Sequence, residues 1–515
     1  MKGIGSSQWG SIACVILMLW SWSPPAQANA RLVLQPDVRT VVEANRSTNA
    51  GLSEAQLVKY LDEQLYNYTD LAGGLQPERI VVKLPGEHTR PDLLGVEEAA
   101  EEIDLLFSLI KYGYAGYQYF GGDGAFSRAR EEMLQDLLRY GQAVPVIEYL
   151  HLICRRLGFV QDGHFGVENL ILCKDYQYWA DNSYEFDLDQ DGFYITDSLN
   201  SRRLISVDGV DPSAYMRPSI DRDGIIKYVP GVVSSEHLDG TTLSMEFSDG
   251  ESQNASLSAA VASRPGGPAY ELDEADGIPI VAIRSFTPTP RNKPLLDRML
   301  ADAERLWEQE AIVIDLRGNS GGNEHYVSSW LSRFVLTYPT PQSVRVELLT
   351  DVANRLTLNA RLLQEEPGSS LGAYYTRMRE LQRSTATPGW SEVRQTRAVR
   401  AASNPFIAVL VDRDTASAGE SFVQCLLQMD NVVLIGVNTK GLCLTGTPGL
   451  VTLPYSGLTM SVPTALRFTG GFINVDGMGY FPDFWVHPDC ALEHTLKFVR
   501  RYLVEQSLAS DMGNV

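Results

Sequence analysis

Phe406-Ile407-Ala408-Val409-Leu410-Val411, followed by Asp412-Arg413-Asp414 and then Thr415-Ala416-Ser417-Ala418-Gly419-Glu420, decides how this chain is read. An apolar run, a polar break and an amphipathic stretch reaching Met429 read as strand, turn and helix. Ser417 then stands at a helix N-terminus. There the backbone N–H of Ala418 and the positive end of the helix favour developing negative charge, and the small neighbours let a carbonyl group approach. A serine or threonine at this place also serves as an ordinary helix cap, and this segment alone does not separate the two readings.

A second segment does. Ala311-Ile312-Val313-Ile314-Asp315-Leu316-Arg317-Gly318-Asn319-Ser320-Gly321-Gly322 is a buried-type strand entering a glycine-rich turn, with a helix expected from about 323 to 334. Glycines there permit left-handed backbone angles and leave N–H groups bare, so the turn can supply a second donor to an oxyanion. A phosphate loop would need a Lys-Ser/Thr ending, which is missing.

Together these stretches resemble the C-terminal processing (tail-specific) serine peptidases and their relatives, the tricorn protease core and the interphotoreceptor retinoid-binding protein repeats. The matching pattern is Asp-Leu-Arg-Gly-Asn-x-Gly-Gly and, about a hundred residues on, Ser/Thr-Ala-Ser-Ala-x-Glu. Asp476-Gly477-Met478-Gly479-Tyr480-Phe481-Pro482-Asp483 is similar to the closing Gly-x-Gly-Val-x-Pro-Asp strand of that family. The resemblance spans roughly residues 270–505 and weakens upstream. It implies Ser417 as nucleophile, an oxyanion hole from Ala418 with Gly321 or Gly322, a peptide or unfolded protein tail as substrate, and no cofactor.

The base is where the chain departs from the best-known branch. Tail-specific peptidases pair their serine with a lysine after the next strand. Aligned from Gly436, that position holds Leu442, and Lys440 lies two residues early, which on a strand displaces a side chain by roughly 7 Å. The tricorn-like branch takes a histidine from upstream, and Gln161-Asp162-Gly163-His164-Phe165 resembles its Asp-Gly-His segment. An imidazole suits the task because its ordinary pKa of about 6.5 lies near neutrality. His325, after the glycine turn, is placed to contact substrate. A histidine base needs an orienting acid. Asp476 occupies the place of the branch's glutamate, and Asp162, two residues before His164, is the alternative. A Ser417–Lys440 dyad and a non-catalytic ligand-binding relative remain the rival readings.

The 515 residues suggest about three domains, and 44% hydrophobic with 21% charged residues is an ordinary globular balance. A net charge of −21 without a basic patch excludes non-specific nucleic-acid binding. Residues 1–28 read as a secretory signal: Lys2, an apolar core from Ile12 to Trp20, and a small-residue cleavage site ending at Ala28. The apolar run is too short to span a bilayer, which predicts a periplasmic or extracellular protein without an integral membrane segment. Cys425 and Cys443 flank a strand as a candidate disulfide, and no cysteine or histidine spacing resembles a zinc site.

Along the chain the expected fold class is α/β. Residues 29–50 read as a polar, flexible lead. A mainly helical domain occupies 29–183, with helical periodicity over 55–66, 96–112 and 125–158. The stretch Lys111 to Gly122, rich in tyrosine and glycine, reads as a peptide groove or as core plus turn. Residues 184–268 are strand-rich, and Leu204-Ile205-Ser206-Val207-Asp208-Gly209-Val210 resembles a PDZ strand, although no carboxylate-binding loop accompanies it. Residues 269–515 form the peptidase core, for which the resemblance implies the ClpP/crotonase-like spiral. A charged helical insertion at about 350–400 is placed to act as a lid or as a solvated excursion.

Overall fold

The computed structural model describes residues 36–47, 52–68, 90–168, 170–196, 201–261, 265–356, 389–402, 405–470 and 475–512. The expected signal segment and most of the insertion, including Pro367-Gly368-Ser369-Ser370, lie outside the described residues.

The fold is α/β. Six strands form the central sheet in the spatial order Tyr270–Ala275, Ile278–Ile283, Ala311–Asp315, Phe406–Val411, Val432–Gly436, Phe484–Trp485. The first pair is antiparallel and the rest are parallel. Parallel strands are covered on both faces, which is why these runs are continuously apolar. Ile407 and Val409 face one side, where they pack with Met299, Trp330 and Phe422 of three helices, Lys293–Leu306, Glu324–Phe334 and Ala418–Leu426. Phe406, Ala408 and Leu410 face the other, against Phe498 and Tyr502 of the C-terminal helix Pro488–Met512.

That second face also receives Val38, Val41 and Val42 from a helix, Pro36–Ser47. The expectation of a flexible lead is corrected here. Three valines at helical spacing supply too short an amphipathic signal to outweigh the polar residues around them. Arg46 Nη2 donates to the Val432 carbonyl at 2.8 Å and pairs with Asp483 Oδ2 at 2.8 Å, while Leu434 N–H donates to the same carboxylate oxygen at 2.9 Å. The Asp483 side chain is 4% exposed.

A second sheet runs Arg394–Thr396, Ser343–Glu347, Thr459–Thr469, Gly166–Val167, Leu170–Ile171, with Thr445–Thr452 also paired to Thr459–Thr469. It carries the upstream helical part on one face, where Ile103, Tyr149 and Phe165 pack with Met460 and Val462. The periodicity over 125–158 divides into two helices, Gly122–Leu137 and Val146–Leu157. Gly141, at φ +70, turns the chain into a short strand, Ala143–Pro145, that pairs with Leu93–Gly95. Of the expected helical insertion, residues 394–396 are a strand of this sheet.

Between residues 177 and 259 the chain forms two antiparallel sheets and a 3-10 turn, with no α-helix among the described residues. The strand-rich reading fits. Among the described residues no helix is long and apolar enough to cross a membrane.

Because Asp483 is almost wholly buried, removing its cation exposes an uncompensated carboxylate. Arg46→Ala should lower the unfolding free energy by about 2 kcal/mol in chemical denaturation. A loss below roughly 0.5 kcal/mol would mean the Arg46–Asp483 pair contributes no docking energy.

Candidate active site

The strand Phe406–Val411 delivers the chain to Asp412, a side chain 1% exposed. Its carboxylate accepts N–H bonds from Gly318, Asp414 and Thr415, all within 3.0 Å. The Thr415 hydroxyl accepts Asp412 N–H at 3.1 Å and donates to the Leu316 carbonyl at 3.0 Å. The turns that follow two neighbouring parallel strands are thereby tied together. Burial pushes the Asp412 pKa up, against the lowering effect of the Gly318 bond.

Ser417 has φ +51 and ψ −114, a left-handed conformation that costs a non-glycine residue about 1–3 kcal/mol. Glu420, wholly buried, holds it there. One carboxylate oxygen accepts Ser417 N–H at 3.0 Å and Leu442 N–H at 2.8 Å. The other accepts the Thr439 hydroxyl at 2.6 Å and Gly441 N–H at 2.7 Å. Glu420 is a functional residue that strand and helix periodicity does not single out. The signal that finds it is an acid three residues after a helix cap.

The glycine turn closes on the serine. A Cβ on Gly321 would lie 2.9 Å from Ser417 Cβ and 3.0 Å from Ala418 N, so a side chain there would obstruct the nucleophile. Gly321 N–H donates to Asn319 Oδ1 at 2.8 Å, which commits one of the two glycine donors expected for an oxyanion. Gly322, at φ +135, approaches Phe286 so closely that a Cβ would meet its backbone at 2.4 Å. Ala418 opens the helix, where the helix itself supplies its N–H no acceptor.

His164 reaches this point from the other sheet. Its Nε2 lies 3.2 Å from Ser417 Oγ. Its carbonyl accepts the Ser461 hydroxyl at 2.7 Å, and its N–H donates to Asp162 Oδ1 at 2.8 Å. Asp162 also accepts the Tyr114 hydroxyl at 2.6 Å and Thr445 Oγ1 at 2.8 Å, so the aromatic 111–122 stretch belongs to the support of the site. Tyr114 is fully buried in the helical core.

Asp476 takes a place different from that of an acid bonded to the imidazole. Its carboxylate accepts Gly163 N–H at 2.9 Å, Cys443 N–H at 2.8 Å and Leu444 N–H at 2.9 Å. The imidazole Nδ1 is buried and accepts or donates no bond of good geometry among the described residues, although the Thr445 carbonyl lies near enough to raise the ring's pKa. Both candidate acids hold the backbone beside His164 rather than its ring. An aspartate is one methylene shorter than the glutamate of the resemblance. Burial, then the charge of Asp162, pushes the Asp476 carboxyl well above the usual range. Burial also lowers the His164 pKa, against the raising effects of Asp162, Glu420, Glu324 and the Thr445 carbonyl.

Lys440 turns away. Its Nζ pairs with Asp175 at 2.9 Å, a carboxylate that also pairs with Arg413, while its backbone N–H donates to the Thr415 carbonyl at 2.9 Å. Leu442 packs on Gly163, where a Cβ would lie 2.1 Å from its methyl carbon. His325 N–H is taken by Asn323 Oδ1, and its ring faces the Ser329 hydroxyl at 3.4 Å. Cys425 and Cys443 are both free thiols. Among the described residues no group of three histidine, cysteine or acidic side chains could hold a metal ion.

The burial of His164 sets a direction for its titration. Imidazole NMR should place its pKa below 6.5, and Glu324→Gln should move it lower still by removing a nearby negative charge. A value above 7 would show that a carboxylate stabilises the ring directly.

Residues 277–484 match the model of peptidase family S41. No curated protein matches the chain in sequence. Among solved structures, mature CPAF complexed with lactacystin is 16% identical, covers 81% of this chain and 99% of its own, and superposes with a TM-score of 0.43. The photosystem II D1 C-terminal processing protease is 11% identical over 76% of this chain and 93% of its own, with a TM-score of 0.33. The tricorn protease is 12% identical over 80% of this chain and 35% of its own, with a TM-score of 0.30. Scores this low carry no argument of their own. The family match spans both the glycine turn and the Ser417 helix, so residues 277–484, the α/β core of this chain, are similar to peptidase family S41.

Proposed function

We propose that the protein is an exported peptidase that cleaves peptides or unfolded protein tails through a Ser417–His164 pair. The observation that carries this reading is the 3.2 Å approach of His164 Nε2 to the hydroxyl of a serine held at φ +51. In the resting state Nε2 must accept, so the proton sits on Nδ1. His164 takes the Ser417 proton as Oγ attacks the carbonyl carbon, and returns it to the leaving amine. Ala418 N–H and Gly322 N–H receive the oxyanion, since Gly321 N–H is already committed. Water then attacks the acyl-enzyme with the same base. Asp162 and Asp476 fix the ring through its backbone. Export rests on the leader at residues 1–28.

Ser417→Ala should abolish labelling by a fluorophosphonate probe and lower peptide turnover by roughly 10⁴-fold or more, and His164→Ala should be nearly as damaging. The double variant should be little worse, because paired groups act as a unit. Lys440→Ala should keep the rate within about threefold, as an exposed ion pair contributes little. An active His164→Ala beside a dead Lys440→Ala would transfer the base to the lysine.

The base works when neutral. Since burial lowers the His164 pKa, kcat/KM should rise with an apparent pKa below 6.5 and be level through neutrality. A rising limb centred near 8 would contradict the histidine mechanism.

A further inference from the structure

Two guanidinium groups converge beside the nucleophile without closing on the carboxylate between them. Arg345 and Arg467 are direct partners across strands Ser343–Glu347 and Thr459–Thr469, so they share a face. Each spends its Nη2 on a neutral group: Arg467 on Gln424 Oε1 and Arg345 on Thr447 Oγ1, both at 2.9 Å. Arg345 Nη2 also stands 3.4 Å from Glu347. Their Nη1 atoms both point at Glu324, at 3.7 and 3.8 Å, too far for a hydrogen bond. The short bond made by Glu324 comes from the Ser421 hydroxyl, at 2.8 Å.

This cluster adjoins the reacting atoms. Glu324 directly follows the glycine turn and Asn323, and Ser421 N–H donates to the Ser417 carbonyl at 2.9 Å, one turn along the helix. Glu324 is 53% exposed, whereas Arg345 and Arg467 are 27% and 21% exposed. The arginines therefore form the wall, and Glu324 is the group that can leave it. Burial would raise the Glu324 carboxyl, but Arg467, Arg345 and the Ser421 hydroxyl bring it below its ordinary value. A basic substrate side chain at this spot would meet two guanidinium groups. A carboxylate would receive two charge-assisted donors, of which Arg467 Nη1 makes a long bond of 3.5 Å to Ser421 Oγ in the free enzyme.

We propose that Arg345 and Arg467 form a substrate-carboxylate subsite flanking Ser417, selecting peptides with an acidic side chain or a C-terminal α-carboxylate within two residues of the cleaved bond, and that Glu324 is the resident group this carboxylate displaces. The proposal rests on the peptidase reading and narrows its substrate class.

The test uses the full chain and two matched peptide pairs. One pair differs by Glu against Gln next to the cleaved bond, the other by a free C-terminal carboxylate against a carboxamide. In at least one pair kcat/KM should favour the acid about tenfold or more, chiefly through KM, and the preference should fall with added salt. Arg345→Gln should bring the ratio towards one. Glu324→Gln should raise it, since a competitor has been removed; mere structural damage would lower both peptides of a pair alike. The pair that responds identifies the source of the carboxylate. Ser417-dependent cleavage with a ratio near one in both pairs, or a preference for a lysine-bearing peptide, overturns the subsite and leaves the peptidase standing. Absence of Ser417-dependent cleavage of any peptide overturns the peptidase reading and the subsite with it.

Discussion

The left-handed backbone at Ser417 is the constraint around which this molecule is arranged. A serine at φ +51 does not stay there on local preference, which opposes it by about 1–3 kcal/mol. It stays because buried carboxylates over-determine the turn. Asp412 fixes the entry to the turn against Gly318, and Glu420 fixes the serine N–H against residues 439–442. Gly321 then has to be glycine, because the space its side chain would take is occupied by Ser417 and Ala418. The reactive hydroxyl is aimed by its neighbours' backbone bonds, and the helix that starts at Ala418 adds its positive end to the same point.

The proposed base, His164, is aimed in the same way. Gly163 lies between Asp162 and Asp476, and each acid takes a backbone N–H on either side of the glycine peptide: Asp162 that of His164, Asp476 that of Gly163. An imidazole gripped by its backbone, rather than by a carboxylate on Nδ1, keeps the correct direction towards Ser417. It gains less stabilisation of its charged form, so burial decides the sign of its pKa shift. In the proposed mechanism, proton transfer then depends on position more than on an unusually basic ring.

Much of this was legible in the sequence. The unbroken apolar runs Ala311–Asp315 and Phe406–Val411 announce strands covered on both faces, and the glycine turn and Ser417 stand where strand ends meet helix starts. The approach of His164 to Ser417 crosses 253 positions of chain and was reached by resemblance, since no local pattern encodes it. The roles of Asp476 and Asp162 were illegible because both hold backbone N–H groups, and any sequence supplies those. The docking of Val38, Val41 and Val42 was hidden for a related reason: three valines become an apolar stripe only once Phe484 and Tyr502 stand opposite them. The arginine pair Arg345–Arg467 depends on strand register, and the partners lie more than a hundred positions apart.

Asp162 and Asp476 are buried side by side, and the carboxyl of Asp476 is raised far above its ordinary value of 3.8 by burial and then by its neighbour's charge. A folded pKa above the unfolded one means that the folded state binds the proton more tightly. The stability this group contributes is therefore full below pH 3.8 and declines as pH rises through the raised value. That direction is opposite to the behaviour of an ion-paired aspartate such as Asp315, whose carboxyl Arg317 and Arg284 hold down at about 2 despite its burial. One core thus contains both kinds of buried acid. Asp315 anchors the strand below the glycine turn and is strongest when ionised. Asp476 joins the histidine segment to the 443–444 backbone and contributes most stability when its carboxyl is protonated.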